Sequence, residues 1–422
     1  MPTLSAKKPT GLKTTFRDDG GRQLPKPSLG CMPYTPRNTT LGALVVSVAL
    51  GMAAPAALAV PTYNVTDLGD LPGGEDLSNA SDINDAGQVV GSSEDASGRR
   101  AFRWESGSGM TGLGDLPGGE VDSHAWGINN AGQAVGYSKA TGQPGSLAVR
   151  WDPGSGMTKL GELPGGADYS NASDINDAGQ VAGNSNAATG FRAVRWEPGG
   201  GITNLGDLPG GMDYSAAYGI NNSGQVVGNS EDATGEWVAF LWKPGTGMTN
   251  LGDLPGGDVS SIGHDINNAG QVVGSSQDAS GRRAFRWEAD SGMTKLETLP
   301  GGDDHTEAFG INDSGQVVGY SRTDSHIAAG RRAFLHEEEG GMFQLDDLID
   351  PSDPLAGITL TKAQGINNHG QIAAHGHLPG EEATSAFRLT PKSTSVPVPG
   401  PSSLALLGLG LAVAAGSVRR QS

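Results

Sequence analysis

Seven copies of the string Ile-Asn-x-x-Gly-Gln, at Ile83, Ile128, Ile175, Ile220, Ile266, Ile311 and Ile366, are preceded by the residues with the best claim to chemistry. Two positions before each isoleucine stand Ser81, Trp126, Ser173, Tyr218, His264, Phe309 and Gln364. The surrounding residues repeat, while this position varies and is often aromatic. Repeat architectures keep framework positions and vary the binding face, so Trp126, Tyr218, His264 and Phe309 are the candidate ligand-binding residues. Flat apolar rings beside Asp and Asn suit sugar rings, which need a hydrophobic face with hydrogen-bond acceptors at its edge. The competing expectation is that these side chains plug a channel or pack between repeats.

Other chemistries fit less well. Asp82-Ile83-Asn84-Asp85-Ala86-Gly87 looks like the start of a calcium loop. However, the fifth ligand position is Ala or Ser in six copies and His369 in the seventh. The first is Gly127, Gly219, Gly310 or Gly365 in four of seven, and no bidentate Glu follows at position twelve. A tight turn that uses Asn and Gly for backbone geometry explains the string better. Acidic residues following Gly-Gly pairs (Glu75, Asp76, Glu120, Asp122, Asp168, Asp213, Asp258, Asp303, Asp304) are expected in loops on one face, as a solvated rim or a site for a cation or basic partner. The eight histidines share no repeat position; His369, His375 and His377 cluster in the last unit with no Cys or Glu within the cluster. With no Gly-x-Ser-x-Gly, no His-Glu-x-x-His and only Cys31 as a thiol, no catalytic residue, metal ligand or cofactor is assigned. The formal charge of −18 argues against nucleic acid.

The elements that position these residues follow from the repeat. The isoleucines are spaced 45, 47, 45, 46, 45 and 55 residues apart, and Leu-Pro-Gly-Gly recurs from Leu71 to Leu299 in the same rhythm. Tryptophan marks the units at Trp104, Trp151, Trp196, Trp242 and Trp287, with His336 in the next. The first unit reads as strands Ala80–Asn84, Gln88–Ser92, Arg100–Glu105 and Met110–Leu116, separated by Gly-containing turns, with the variable position near the start of the first strand. Sixty-eight glycines in 422 residues speak against helices and punctuate about 28 short strands. Four strands per 45-residue period is the pattern of a propeller blade. Thr66–Leu71 matches the fourth-strand string Thr111–Leu116, while the last unit lacks a fourth strand. The sequence therefore predicts an all-β, seven-bladed propeller in which the N-terminal strand completes the last blade. An open β-solenoid or stacked sheets is the alternative.

Both ends read as addresses. An apolar run over 41–58 follows Arg37 and ends in Ala57-Leu58-Ala59, the layout of a signal peptide cut after Ala59. Residues 1–59 are the expected leader, with Met32 an alternative start. Cleavage removes seven basic and two acidic residues, shifting the charge to −23. Residues 60–390 would form the propeller, 391–400 a linker, and 401–422 a short apolar tail. The tail, with Pro399 and Pro401, Ser-Leu-Ala-Leu-Leu-Gly-Leu-Gly, then Arg419 and Arg420, resembles the PEP-CTERM sorting signal, with Gly400 where that family has glutamate. The resemblance implies an exosortase-type partner and transient anchoring in the inner membrane. The repeats themselves resemble the HAF repeats of bacterial extracellular proteins, through Ala101-Phe102, Ala239-Phe240, Ala284-Phe285, Ala333-Phe334 and Ala386-Phe387. This resemblance implies a secreted β-rich protein and no particular reaction.

The expectation is thus a monomeric, cell-surface propeller that acts as a non-catalytic binding or structural module for extracellular polysaccharide or a surface protein. The alternative is a propeller glycan hydrolase or lyase. Expressed in a Gram-negative host, the mature protein should begin at Val60 by N-terminal sequencing. Ala59→Leu should leave the leader attached, and wholly cytoplasmic protein would overturn the export reading.

Overall fold

The computed structural model describes residues 61–118, 120–140, 145–302, 305–322 and 330–392. Ala57, Ala59, Pro399, Pro401, Arg419 and Arg420, and with them the leader and tail expectations, lie outside the described residues, as do Asp303, Asp304 and His326.

Among the described residues, twenty-eight strands form seven four-stranded antiparallel sheets, each built from consecutive strands except one. The first blade consists of β2 (Gly73–Ile83), β3 (Val89–Asp95), β4 (Gly98–Glu105) and β5 (Gly109–Gly112). The exception is the last blade, in which β26 (Thr359–Ile366), β27 (Ile372–His377) and β28 (Ser385–Pro391) are completed by β1 (Tyr63–Asp67), in the order β1-β28-β27-β26. The N-terminal strand thus closes the seven-bladed propeller, as the duplicated fourth-strand string predicts. Tyr63 pairs with Pro391 and Asp67 with Phe387. Tyr63 is fully buried among Leu335, Leu345, Leu360 and Leu389.

Two expected boundaries are corrected. The fourth strand of the first unit stops at Gly112, short of Leu116. Leu113 and Leu116 leave the sheet to pack against the core between the first and second blades, through a left-handed Gly114 (φ +84°). The first strand begins at Gly73, so Gly73-Gly74-Glu75-Asp76 is strand and not loop. The same holds at Gly165 and Gly256.

Packing follows the two-residue period of a strand. Phe102 and Trp104 project toward the last blade, where they meet Ala373 and Ala386. Val90 and Ala101 project toward the second blade, where they meet Ala125, Ile128 and Trp151. Each of these two seams therefore sets bulky rings against small residues, which lets neighbouring blades approach closely. The glycine after Gln-Val-Val is obligatory for this approach: a Cβ on Gly91 would lie 1.9 Å from the Asn79 carbonyl oxygen. A hydroxyl stitches the seams as well. Ser123 Oγ accepts from the Ala101 amide at 3.0 Å, and Ser78 Oγ accepts from the Ala386 amide at 3.0 Å across the closing seam. The closure therefore uses the same bond as an ordinary blade contact.

If β1 closes the ring, Tyr63→Ala should destabilise the protein by roughly 3–5 kcal/mol, as for other buried aromatics. Thr111→Ala, on the exposed outer strand β5, should change stability by less than about 0.5 kcal/mol. Equal effects in urea unfolding would refute closure by β1.

Candidate functional site

The first strands of all seven blades line the central channel. They end at one mouth in the Ile-Asn-Asx strings, which surround a narrow polar opening. Toward the other end they open into a cavity of about 410 Å³. The seven variable residues, Ser81, Trp126, Ser173, Tyr218, His264, Phe309 and Gln364, all line this cavity. The sequence placed them near the start of the first strand, but they lie near its end. In every blade the ladder register shifts at this residue: Ala80 pairs with Gly91 and Asp82 with Val90, so Ser81 is an extra, unpaired residue. The same shift brackets Trp126, Ser173, Tyr218, His264, Phe309 and Gln364. A β-bulge frees one residue from the ladder and re-aims its side chain. Here seven bulges aim seven side chains at one axis.

The rings form a discontinuous collar. Trp126 stacks on His124 with centroids 3.7 Å apart and is 40% exposed. His264 lies between Tyr218 (5.8 Å) and Phe309 (4.9 Å). Lys362 Nζ sits 3.8 Å above the Phe309 ring, a cation–π contact, and burial lowers its pKa to about 8. His264 Nε2 is buried with no hydrogen-bond partner. Burial depresses the imidazole to a pKa of about 4, so at neutral pH it is an uncharged ring with an unmatched polar atom at the cavity wall. The smaller members are anchored: Ser81 Oγ bonds His124 Nε2 at 2.8 Å, and Ser173 Oγ donates to the Ala217 carbonyl at 2.9 Å.

The position just before each isoleucine adds three carboxylates that the search for variable positions missed. Asp82, Asp174 and Asp265 occupy the first, third and fifth blades, while glycine holds the position in the others. The alternation is steric: a Cβ on Gly127 would meet Asp174 Oδ1 at 3.0 Å. Each Asp accepts the amide of its own isoleucine with Oδ1 and that of the next blade with Oδ2. Asp82 takes Ile83 at 2.7 Å and Ile128 at 2.9 Å. The pairs for Asp174 are Ile175 and Ile220, and for Asp265 Ile266 and Ile311. Burial pushes all three carboxyls up, and the Asp174 charge adds to the shift for Asp82 and Asp265. Asp174 reaches about 6 and Asp265 about 7. Asn171, Asn184 and Lys362 complete the wall. Asn171 and Lys362 lie four residues before their isoleucines, two from the bulge, so strand periodicity carried past the variable position would have found them.

The remaining candidates are not brought together. Among the described residues no group of three His, Cys, Asp or Glu side chains is placed to hold a metal. This covers the calcium-like strings and the His369, His375 and His377 cluster. His377 Nδ1 instead faces the Ala383 carbonyl oxygen at 3.0 Å. Of the acidic residues after Gly-Gly, Asp122 forms ion pairs with Arg99 and Lys139, and Asp213 pairs with Arg192.

No family model matches the chain, and no curated protein matches it significantly. Among solved structures, it is similar to a gluconolactonase from Xanthomonas campestris at 11% identity, over 81% of this chain and 99% of that one, with a TM-score of 0.35. It is also similar to an oligogalacturonate lyase in complex with manganese (10% identity, 79% and 97% coverage, TM-score 0.46). A third is AofleA from Arthrobotrys oligospora (11% identity, 79% and 88% coverage, TM-score 0.34). Likeness at this level carries no argument about chemistry.

The raised pKa of Asp265 has a stability consequence. Between the ordinary carboxylate pKa near 4 and about 7, the folded state holds a proton that the unfolded chain has released, so this group's contribution falls as pH rises through that window. Asp265→Asn should therefore gain thermal stability relative to the parent as pH is raised from about 4 to 8. Parallel melting-temperature curves would show that Asp265 titrates normally.

Proposed function

We propose that the channel cavity binds carbohydrate, one or a few sugar residues of an extracellular polymer. The observation that carries this reading is the convergence of all seven bulge residues on one cavity. Trp126, Tyr218 and Phe309 supply apolar ring faces there, and His264 Nε2, Asn171, Asn184 and three carboxylates supply polar edges. A cavity of about 410 Å³ lies within the range of small-ligand sites. The expected leader and the PEP-CTERM-like tail support placing this activity outside the cytoplasm, on the cell surface, with an exopolysaccharide as the polymer. The repeats' resemblance to HAF proteins points the same way.

A second reading, glycan hydrolysis or lyase chemistry, is favoured by one observation. Asp174 and Asp265 have raised pKa values, and a carboxyl that keeps its proton near neutrality can act as a general acid. Against it, both oxygens of each Asp are engaged by backbone amides that join adjacent blades. We therefore place binding first.

The test is titration of the full chain against an array of bacterial and plant polysaccharide fragments, scored for both retention and product. Trp126→Ala and Tyr218→Ala should each weaken retention at least about tenfold, corresponding to 1.4 kcal/mol, without new reducing ends or unsaturated products. Product formation abolished by Asp174→Asn would establish the catalytic reading in its place. No retention of any glycan would end both.

A further inference from the structure

A second cavity, remote from the channel site in sequence role and chemistry, lies at the seam between the fourth and fifth blades. Its origin is legible because the protein repeats the same seam elsewhere. The residue before each blade's tryptophan position is normally arginine: Arg103, Arg150, Arg195, Arg286 and Arg388. In four of these, Arg103, Arg195, Arg286 and Arg388, the guanidinium reaches the next blade. Arg195 lies over the Trp242 ring at 5.0 Å and donates from Nη1 to the Gly224 carbonyl at 3.0 Å. Arg388 lies over Trp104 at 4.5 Å and donates to the Gly87 carbonyl at 3.3 Å. Arg103 reaches the Gly132 carbonyl at 3.4 Å.

Two blades have leucine instead. At Leu335 the facing residue in the next blade is Leu389, so both partners have changed and the seam is an apolar core. At Leu241 only one has changed. The facing residue is still Trp287, and the turn glycine is still Gly270. Leucine is too short to cover the indole, and a cavity of about 320 Å³ opens, lined by Leu241, Trp287, Gly270, Gln225 and Gln271. Lys243 stands on one wall and Glu288 and Asp290 on the other, with Glu288 paired to Arg286 at 3.2 Å. Trp287, unlike the fully or nearly buried Trp151 and Trp196, is partly exposed.

We propose that this cavity is a binding site for a guanidinium group supplied from outside the chain, stacked on Trp287 and donating to the Gly270 carbonyl. The guest occupies the place that Arg195 and Arg388 fill at their own seams. A cation on an indole face in a partly desolvated cavity is a favourable contact, and a planar guanidinium adds stacking that an ammonium cannot. Lys243 stands where five of the other blades have Glu105, Asp152, Glu197, Glu288 or Glu337, and the last has Thr390. It withholds the usual ion pair, so the site favours a reversible guest over a permanent one. The guanidinium has two sources, a free small molecule or an arginine side chain of a partner protein.

Calorimetric titration of the full chain with N-acetyl-argininamide tests the proposal. One site is expected, with binding lost in Leu241→Arg, which refills the cavity from within, and tightened in Lys243→Glu, which restores the repeat's acid. Arg195→Leu should create a second site of the same kind over Trp242. An acetylated Gly-Arg-Gly peptide binding more tightly than the single residue would assign the guest to a partner protein; equal binding would assign it to a free compound. Absence of heat in the parent, an unchanged isotherm in Leu241→Arg, or equal affinity for N-acetyl-lysinamide would each overturn the assignment. Because these variants leave the channel residues untouched, the result is independent of the glycan reading.

Discussion

Two closed circles of hydrogen bonds around the channel mouth hold the architecture together. In the inner one, the side-chain amide of each repeat asparagine donates to the backbone carbonyl of the same residue in the next blade. It runs from Asn84 to Asn129, Asn176, Asn221, Asn267, Asn312, Asn367 and back to Asn84, at 2.9–3.1 Å throughout. In the outer one, the amide of the following residue donates to the side-chain oxygen of its counterpart, from Asp85 through Asn130, Asp177, Asn222, Asn268 and Asp313 to Asn368 and back. The first circle is buried, so an unmade bond there would leave a polar group without water. A ring satisfies every member only when it is complete. That condition couples seven local turns into one global closure, and it explains why Asn is constant in a string whose neighbours vary.

The same asparagines shape their own turns. Asn84 Oδ1 accepts the Gln88 amide, and its Nδ2 also reaches Gln88 Oε1. One side chain thus fixes both the turn inside a blade and the distance to the next. The calcium-like spelling of the string is a by-product: carboxylate and amide oxygens are concentrated there to accept backbone amides of the neighbouring blade.

Against so regular a frame, function gathers where the repeat is free or broken. The bulge residue is outside the ladder, so it varies without disturbing strand pairing, and its direction delivers that variation to the channel. The seam at Leu241 shows the other route, in which one partner of a conserved pair changes, the other remains, and a cavity results. The alternation of Asp and Gly before the isoleucines belongs to neither class. An odd number of blades cannot alternate perfectly, and Gly310 and Gly365 fall side by side where the pattern fails to close.

The sequence by itself determined the strand count, the seven-fold period and the closure. Each is a property of spacing, and an orphan fourth strand at one end with a vacancy at the other admits a simple cyclic solution. It also identified Trp126, Tyr218, His264 and Phe309 as a set, because variation within a repeat is visible without coordinates. Only the tertiary structure decided that these residues occupy bulges and share one cavity, since a one-residue register shift leaves no mark in composition or periodicity. The same holds for Asp82, Asp174 and Asp265, whose pKa shifts arise from burial against other blades. The open seam at Trp287 was beyond the sequence too, for the tryptophan and its missing arginine lie 46 positions apart and become neighbours only when the fourth and fifth blades pack together.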